Sequence, residues 1–520
     1  MQNRPRRWAN LLLFLALFLG AIVRFAPTLL AHSPINDGGL FYTMIDELKA
    51  NSFLLPAYTA YNHLQIPFAY PPLSLYLGAL LSGLGVPTIE VLRWVPASAS
   101  TISILAFWWM ASKMLDSSTK ASVAAAVYAL MPRAFSWYIM GGGLSRSLGI
   151  LFLLLTCGST WLLFTKPGYR QIILTSIFGA AAILSHPETA LHTVIACGLI
   201  CLFKVRSRRA LFAALSVTLG VIALTGPWWG TILAQHGLSP FQSALQTGAH
   251  GAQFWIPWIT FDFAQEPFVT VFAALGMLGL LVQLVRREWF LPVWLFVPFL
   301  AEPRSAPAIA ALPLAVLAGY GLTDFVLPHL PSLASATNPD FADWTELLPR
   351  SPLVRVALGF VLLYGFFGAF AYDLSLAQLV IPPDSRAAMQ WVQKGSPTNA
   401  RFVVLSGSVD PFSDASAEWF PVLAGRPSIN TLQGREWVLG KGFMPFLEDL
   451  KALQACADQS ATCVEDWAAS HATDYNYIYL EEHPAQDAPE ASSLLLYSLR
   501  QDQDYILVFE NSGTVIFRRR

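Results

Sequence analysis

Charge is what this chain is short of. Only 12% of its 520 residues are Asp, Glu, Lys or Arg, where a soluble globular chain carries about a quarter. That deficit excludes an ordinary soluble domain, and the 55% of hydrophobic residues must be covered by something other than water. The net charge is only −1 and no basic stripe is present, which excludes a nucleic-acid partner. Cysteine is scarce too, with five in all, so this is not a disulfide-built scaffold. Cys157, Cys197 and Cys201 fall in apolar stretches, where cysteine behaves as a small buried hydrophobe. Cys456 and Cys463 lie seven positions apart in a polar tail, a spacing that suits a local disulfide if the tail faces an oxidising compartment. Internal repeats are lacking, which argues against an inverted-repeat transporter.

What is present is a series of apolar blocks of about 20 residues, the length that crosses a hydrocarbon core about 30 Å thick. The chain reads as a polytopic α-helical membrane protein. Its N-terminal apolar run is longer than a signal-peptide core and lacks a clean cleavage site, so it reads as a retained first span. Lys and Arg set the orientation. Arg4, Arg6 and Arg7 place the N-terminus in the cytoplasm, and the clusters Lys204, Arg206, Arg208, Arg209 and Arg286, Arg287 fall on the same side. This gives about eleven spans, near 9–30, 89–112, 121–139, 147–164, 171–185, 190–203, 210–227, 268–285, 289–301, 306–322 and 354–372. A large outer loop, 31–88, follows the first span, and the short apolar run from Pro72 to Val86 within it reads as an interfacial helix. The division is then a membrane domain over 1–380 and a soluble extracytoplasmic α/β domain over 381–520, in the plasma membrane. In the second domain SRAAMQWVQ and FMPFLEDLKALQACA read as helices, RFVVLS and YNYIYL as strands, and YILVFENSGTVIF as a hairpin on an Asn-Ser-Gly turn. It is expected to fold on its own.

The chemistry has to come from the few ionisable groups near span ends, because such groups are costly there. On the outer side these are Asp37, Asp46, Glu47, Glu188, Asp262, Glu266 and Glu302, with His63, His186, Arg24, Arg93, Arg133, Arg146 and Arg304. Asp37, in Asn-Asp-Gly-Gly, can serve as a general base towards an acceptor hydroxyl, or simply cap the helix that starts near Leu40. Outer arginines run against the positive-inside bias and suit a phosphate. Arg304, in AEPRSAP, is the best placed, then Arg146 behind three glycines. Ser185-His186-Pro187-Glu188 can bind a phosphate or form a turn with Pro187 at N1 of a helix; two ligands alone do not make a zinc site. Trp228, Trp229, Trp255, Trp258, Trp419 and Trp437 suit either interface anchoring or sugar stacking.

With these residues assembled, the chain resembles the GT-C superfamily of integral-membrane glycosyltransferases, such as protein mannosyltransferases, aminoarabinose transferases and oligosaccharyltransferases. The matching features are the first-loop acid in NDGGLFY, the YPPLSLYLGALL segment with Tyr70 at its head, and the Arg93 of VLRWVPASAS. They continue with the His of LSHPE, the Arg of AEPRSAP, and an α/β domain at the C-terminus. The resemblance implies an inverting hexosyl- or pentosyltransferase acting on the extracytoplasmic face. Its donor would be a polyprenyl-phosphate sugar and its acceptor a glycan, lipid or protein. It makes Asp37 the catalytic residue and Arg304, Arg146 and Arg93 the donor-phosphate ligands, with His186, Glu188, Glu302 and Tyr70 as further site residues. The second outer loop, PRAFSWYIMGGGLSR, has no Asp or Glu. That departs from the oligosaccharyltransferase metal site and leaves a need for Mg or Mn open. Two rival readings remain: a transporter or flippase of lipid-linked sugars, and a membrane-anchored assembly or binding protein whose tail does the work.

Overall fold

The computed structural model describes residues 3–247, 256–330, 351–482 and 491–520. Trp255 and the Pro- and Ser-rich loop at 331–350 lie outside the described residues. The chain is largely helical. Helices α1 (Asn3–Ala31), α2 (Gly39–Ala50), α3 (Leu73–Gly83), α4 (Thr88–Met114), α5 (Ser118–Leu130), α6 (Gly143–Thr165), α7 (Tyr169–Ile183), α8 (Pro187–Lys204) and α9 (Arg208–His236) come first. Helices α10 (Val271–Val285), α11 (Phe290–Ala301), α12 (Ala306–Tyr320) and α13 (Pro352–Leu376) complete the apolar part. Every expected span has its helix, but among the described residues only seven helices, α12 counted through to His329, are long and apolar enough to cross a membrane unaided. Helices α7, α10 and α11 are apolar but shorter, and α5 has 13 residues, about 20 Å at 1.5 Å per residue. The chain is therefore an integral membrane protein with seven candidate spans and several shorter helices packed among them.

Helix ends follow the sequence. Ser117, Ser207 and Ser351 cap α5, α9 and α13 by accepting the N–H three residues on, as serine does at this position. Helices α5 and α12 are buried along nearly their whole length, whereas α9 lies at the periphery. Glycine allows the tightest approach in the bundle: a Cβ at Gly279 of α10 would strike the Leu317 carbonyl of α12. Small residues at such crossings replace the hydrophobic driving force that lipid removes. At one end of the bundle Asp324 is held by Lys120, at 2.8 Å, and Arg286, at 2.6 Å. The opposite end carries residues 31–88 and the C-terminal segment.

That first loop is structured: α2, a two-residue antiparallel pair β1 (Tyr58–Thr59) and β2 (Ile66–Pro67), and α3. The C-terminal segment begins with α14 (Pro383–Gly395) and holds β3 (Phe402–Leu405), β4 (Tyr477–Glu481), β5 (Tyr505–Glu510) and β6 (Thr514–Arg519) in the order β3-β4-β6-β5. The first pair is parallel and the others antiparallel. A further helix, α15 (Ala415–Leu423), lies between β3 and β4 and has no counterpart in the sequence reading.

Period-two alternation divides the sheet's two faces. Val403, Leu405, Ile478, Leu480, Val515 and Phe517 face the segment's own helices. Phe402, Val404, Tyr477, Tyr479 and Ile516 share a core with Leu40, Phe41, Ile45, Tyr61, Ile66 and Phe68 of the first loop. The first loop and the sheet thus share one core. Cys456 and Cys463 are disulfide-bonded, with Cα atoms 5.6 Å apart.

Candidate active site

Asp37 lies in a turn that few residues can make. Asn36 has φ 55° and Gly38 φ 127°; the second value is open at low cost to glycine alone. Gly38 is the N-cap of α2, which has no side-chain capping bond, so Asp37 does not cap that helix. Its carboxylate turns to the chain's other glycine run. Oδ1 accepts the Gly142 N–H at 2.7 Å, and Oδ2 is ion-paired with Arg146. Gly142 is the N-cap of α6, so the carboxylate sits at the positive end of a helix dipole.

The approach depends on missing side chains. Gly141 N–H donates to the Ile35 carbonyl at 2.9 Å. A Cβ on Gly141 would strike the Asp37 carbonyl, and one on Gly142 would strike the Asp37 carboxylate. Asn-Asp-Gly-Gly and Gly-Gly-Gly-Leu-Ser-Arg are two sides of one contact. Both runs stood out in the sequence; that they pack on each other did not.

The turn is gripped a third time, by α15. Glu418 Oε1 accepts the Gly38 N–H at 2.8 Å, and Trp419 Nε1 donates to the Asn36 carbonyl at 2.9 Å. Asn36 Nδ2 donates to the Phe412 carbonyl at 3.2 Å. Trp419 is 2% exposed, which makes it a clamp rather than an interface anchor. Burial first, then the nearby Asp37 charge, push the Glu418 carboxyl up to about 8, against the pull of the Gly38 and Leu40 N–H groups.

The other sequence candidates gather around a neighbouring ion pair. Arg304 is bonded to Glu188, and its N–H reaches Glu302 at 3.1 Å. The Glu188 charge, opposed by burial, holds the Arg304 guanidinium above its ordinary range. Its Nη1 is buried without a hydrogen-bond partner among the described residues, and its guanidinium stands 5.8 Å from the ring centre of Phe412. Glu302 accepts the Ser305 N–H at 2.7 Å, and Ser305 Oγ meets His192 Nε2 at 2.9 Å; His192 is a neighbour the sequence reading missed. His186 caps α8 through its Nδ1 with Pro187 at N1, the plain turn reading. Burial leads in lowering its pKa to about 4, with the charges of Arg146 and Arg304 adding to the effect, so the ring is neutral near pH 7. Tyr70 OH meets Ser145 Oγ at 2.9 Å, and its ring lies 6.3 Å from His186 and 6.0 Å from Trp437. Glu436, half-buried and within reach of the charges of Arg304 and Glu188, completes the group.

Three arginines stand elsewhere. Arg93 is held by Glu90 at 3.1 Å and by the Thr28 carbonyl at 3.1 Å; among the described residues no hydrogen bond or ion pair joins it to Asp37, Arg146 or Arg304. Arg24 is fully buried inside the bundle, on Ser100 and the Ala129 carbonyl. Arg133 is buried near Tyr372 and Asp262. Among the described residues no group of three or more His, Cys, Asp or Glu side chains converges. Both Asp37 oxygens already face an N–H or a guanidinium. A cavity of about 330 Å³ lined by Trp109, Leu155, Ser159, Leu162, Gln171, Leu174 and Phe178 belongs to α4, α6 and α7 and not to this site.

Helices ending in a cluster of acids and arginines beneath a mixed sheet make an arrangement whose fold is similar to that of solved membrane oligosaccharyl- and arabinofuranosyltransferases. The likeness runs over the whole chain. The archaeal oligosaccharyltransferase AglB from Archaeoglobus fulgidus, solved with an inhibitory peptide and a dolichol-phosphate, matches at TM-score 0.54 and 13% identity over 99% of this chain and 74% of its own. ArnT from Cupriavidus metallidurans, bound to undecaprenyl phosphate, matches at 0.52 and 14%, over 97% of each chain. The arabinofuranosyltransferase AftD from Mycobacteria matches at 0.52 and 16%, over 99% of this chain and 41% of its own. No family model and no curated protein matches the sequence.

Proposed function

We propose that this chain is an inverting glycosyltransferase that moves a hexosyl or pentosyl unit from a polyprenyl-phosphate donor to an acceptor hydroxyl on the extracytoplasmic face. Asp37 takes the proton as the acceptor oxygen attacks the anomeric carbon, and the sugar–phosphate bond breaks with its electrons going to the phosphate. The observation that carries this reading is the pairing of a nearly buried carboxylate, fixed on a helix N-terminus by Gly142 and Arg146, with a neighbouring arginine that keeps an unused donor, Arg304 Nη1. A base needs fixed geometry, and a leaving phosphate needs preorganised positive charge. Arg304 meets the phosphate, while Arg146 acts chiefly by holding Asp37. Dolichol-phosphate and undecaprenyl phosphate in the AglB and ArnT structures support the donor class. Transporters place their polar sites at the bilayer midplane; here the groups lie at helix ends, at Asp37, the starts of α6 and α8, and the turn between α11 and α12, which favours the enzyme.

The test is a transfer assay with a panel of polyprenyl-phosphate sugars. Wild-type protein consumes one donor, and Asp37→Asn loses transfer by at least about 100-fold while still inserting and folding. Undiminished transfer by Asp37→Asn, or movement of lipid-linked sugar across vesicles without any transfer product, overturns the reading.

A further inference from the structure

The turn that carries Asp37 is not stable by its own bonding. Asn36 is in the left-handed region and Gly38 beyond it, and α2 starts with no side-chain cap of its own. Orphan N–H groups at a helix start ordinarily find a nearby Ser, Thr, Asp or Asn. At Gly38 the acceptor comes from 380 residues away, as Glu418 Oε1. The same residue closes on the turn with its backbone: a Cβ at Gly39 would come within 2.7 Å of the Glu418 carbonyl oxygen, and that oxygen also accepts the Tyr61 hydroxyl at 2.6 Å. Trp419 holds Asn36 on the other side of Asp37. Gly142 and Arg146 fix the carboxylate, while α15 holds the backbone on both sides of it, alongside the bonds of Asn36 N–H to the Leu379 carbonyl and of Gly141 N–H to the Ile35 carbonyl.

We propose that Glu418 is a positioning residue for Asp37, a helix cap supplied by the C-terminal segment that sets where the carboxylate points. The proposal rests on the reading of Asp37 as the base. A carboxyl buried beside another carboxylate is a costly way to fill space, whereas an oxygen at this place satisfies a buried N–H and sets the turn.

The experiment compares Glu418→Ala and Glu418→Gln in the full chain. Glutamine keeps an acceptor oxygen for the Gly38 N–H; alanine removes it. Two readouts are taken: transfer kinetics, and hydrogen exchange of the amides at 36–42. The expected result for Glu418→Ala is a fall in kcat of about 10- to 100-fold, the scale of a misplaced reacting group, with donor KM within about threefold, and at least about 10-fold faster exchange at 36–42. Glu418→Gln returns both to within about threefold of wild type. Wild-type kcat in Glu418→Ala, equal exchange in both variants, or a Glu418→Gln as impaired as Glu418→Ala overturns the proposal. Exchange needs no sugar. If wild-type protein transferred nothing from any donor, the function would fall, and the clamp would still be decided by whether only Glu418→Ala loses protection.

Discussion

Gly142→Ala changes no charge and removes no hydrogen-bonding group, yet it is aimed at the centre of the site. The added methyl would lie 2.8 Å from both the Asp37 carboxyl carbon and Arg146 Nη2. Ordinary contacts begin at 3.4 Å, so Arg146 has to give way by about 0.6 Å and Asp37, whose Oδ2 the methyl would strike more closely still, by more, and neither is free to do so. Asp37 is held by the turn that Gly38, Trp419 and Glu418 lock, and Arg146 by the Trp137 carbonyl at 2.9 Å. Overpacking of this kind costs about 1–3 kcal/mol, and a displacement near 1 Å at reacting groups costs about 100-fold in rate. The expected outcome is a 10- to 100-fold fall in kcat, by the same scale, in a protein that still purifies as a folded species. Gly198→Ala is the control, since a Cβ there meets nothing within 4 Å and should leave activity unchanged. Transfer from the donor consumed by wild type is the assay, in matched vesicles. A Gly142→Ala enzyme within twofold of wild type would refute the claim that the Asp37–Arg146 geometry sets the rate.

Other expectations follow from the same contacts. Arg304→Ala should raise donor KM by about 10-fold or more, because a charge-assisted bond to phosphate is lost, and Arg304→Lys should recover only part of it for want of a planar fork; unchanged KM in both would remove Arg304 from the donor site. Cys456→Ser should lower stability by about 2–3 kcal/mol for so short a loop, read by thermal unfolding in non-reducing buffer. Glu418 gives a pH signature. Its carboxyl is raised by burial to about 8 in the folded chain, from about 4.3 when unfolded, so the folded state disfavours the charged form. Its unfavourable contribution is absent below about pH 4.3 and grows up to about pH 8. Glu418→Gln should therefore gain stability relative to wild type as pH rises from 5 to 8, and a pH-independent difference would contradict the assignment.

Local pattern carried the fold a long way. The apolar blocks became helices where expected, and strands of the tail fall on the short apolar runs at 402–405, 477–481 and 514–517. Of the eleven expected spans, seven have helices long and apolar enough to cross unaided among the described residues; a short helix such as α7, or α5 with its 13 residues, needs neighbours to complete a crossing. Helix α15 was missed because ASAEWFPVL is short, holds Pro421 and shows no helical period. Asp37, Arg146, Glu188 and Arg304 were legible as polar residues in the wrong solvent. Their pairing was not, since the partner of Asp37 lies 109 positions away and that of Arg304 116. Nothing in local sequence encodes such distances.

The shared core between the first loop and the sheet has a consequence for how the protein is made. Asp37 leaves the ribosome almost 400 residues before Glu418 and Trp419, and Ile516 of β6 joins the same core later still. Non-local pairing of this reach forms late. Newly made helices can lie in the bilayer with the reactive turn still loose, and the site acquires its shape only when the last strand arrives. Truncation at the far C-terminus would then silence a residue near the start of the chain.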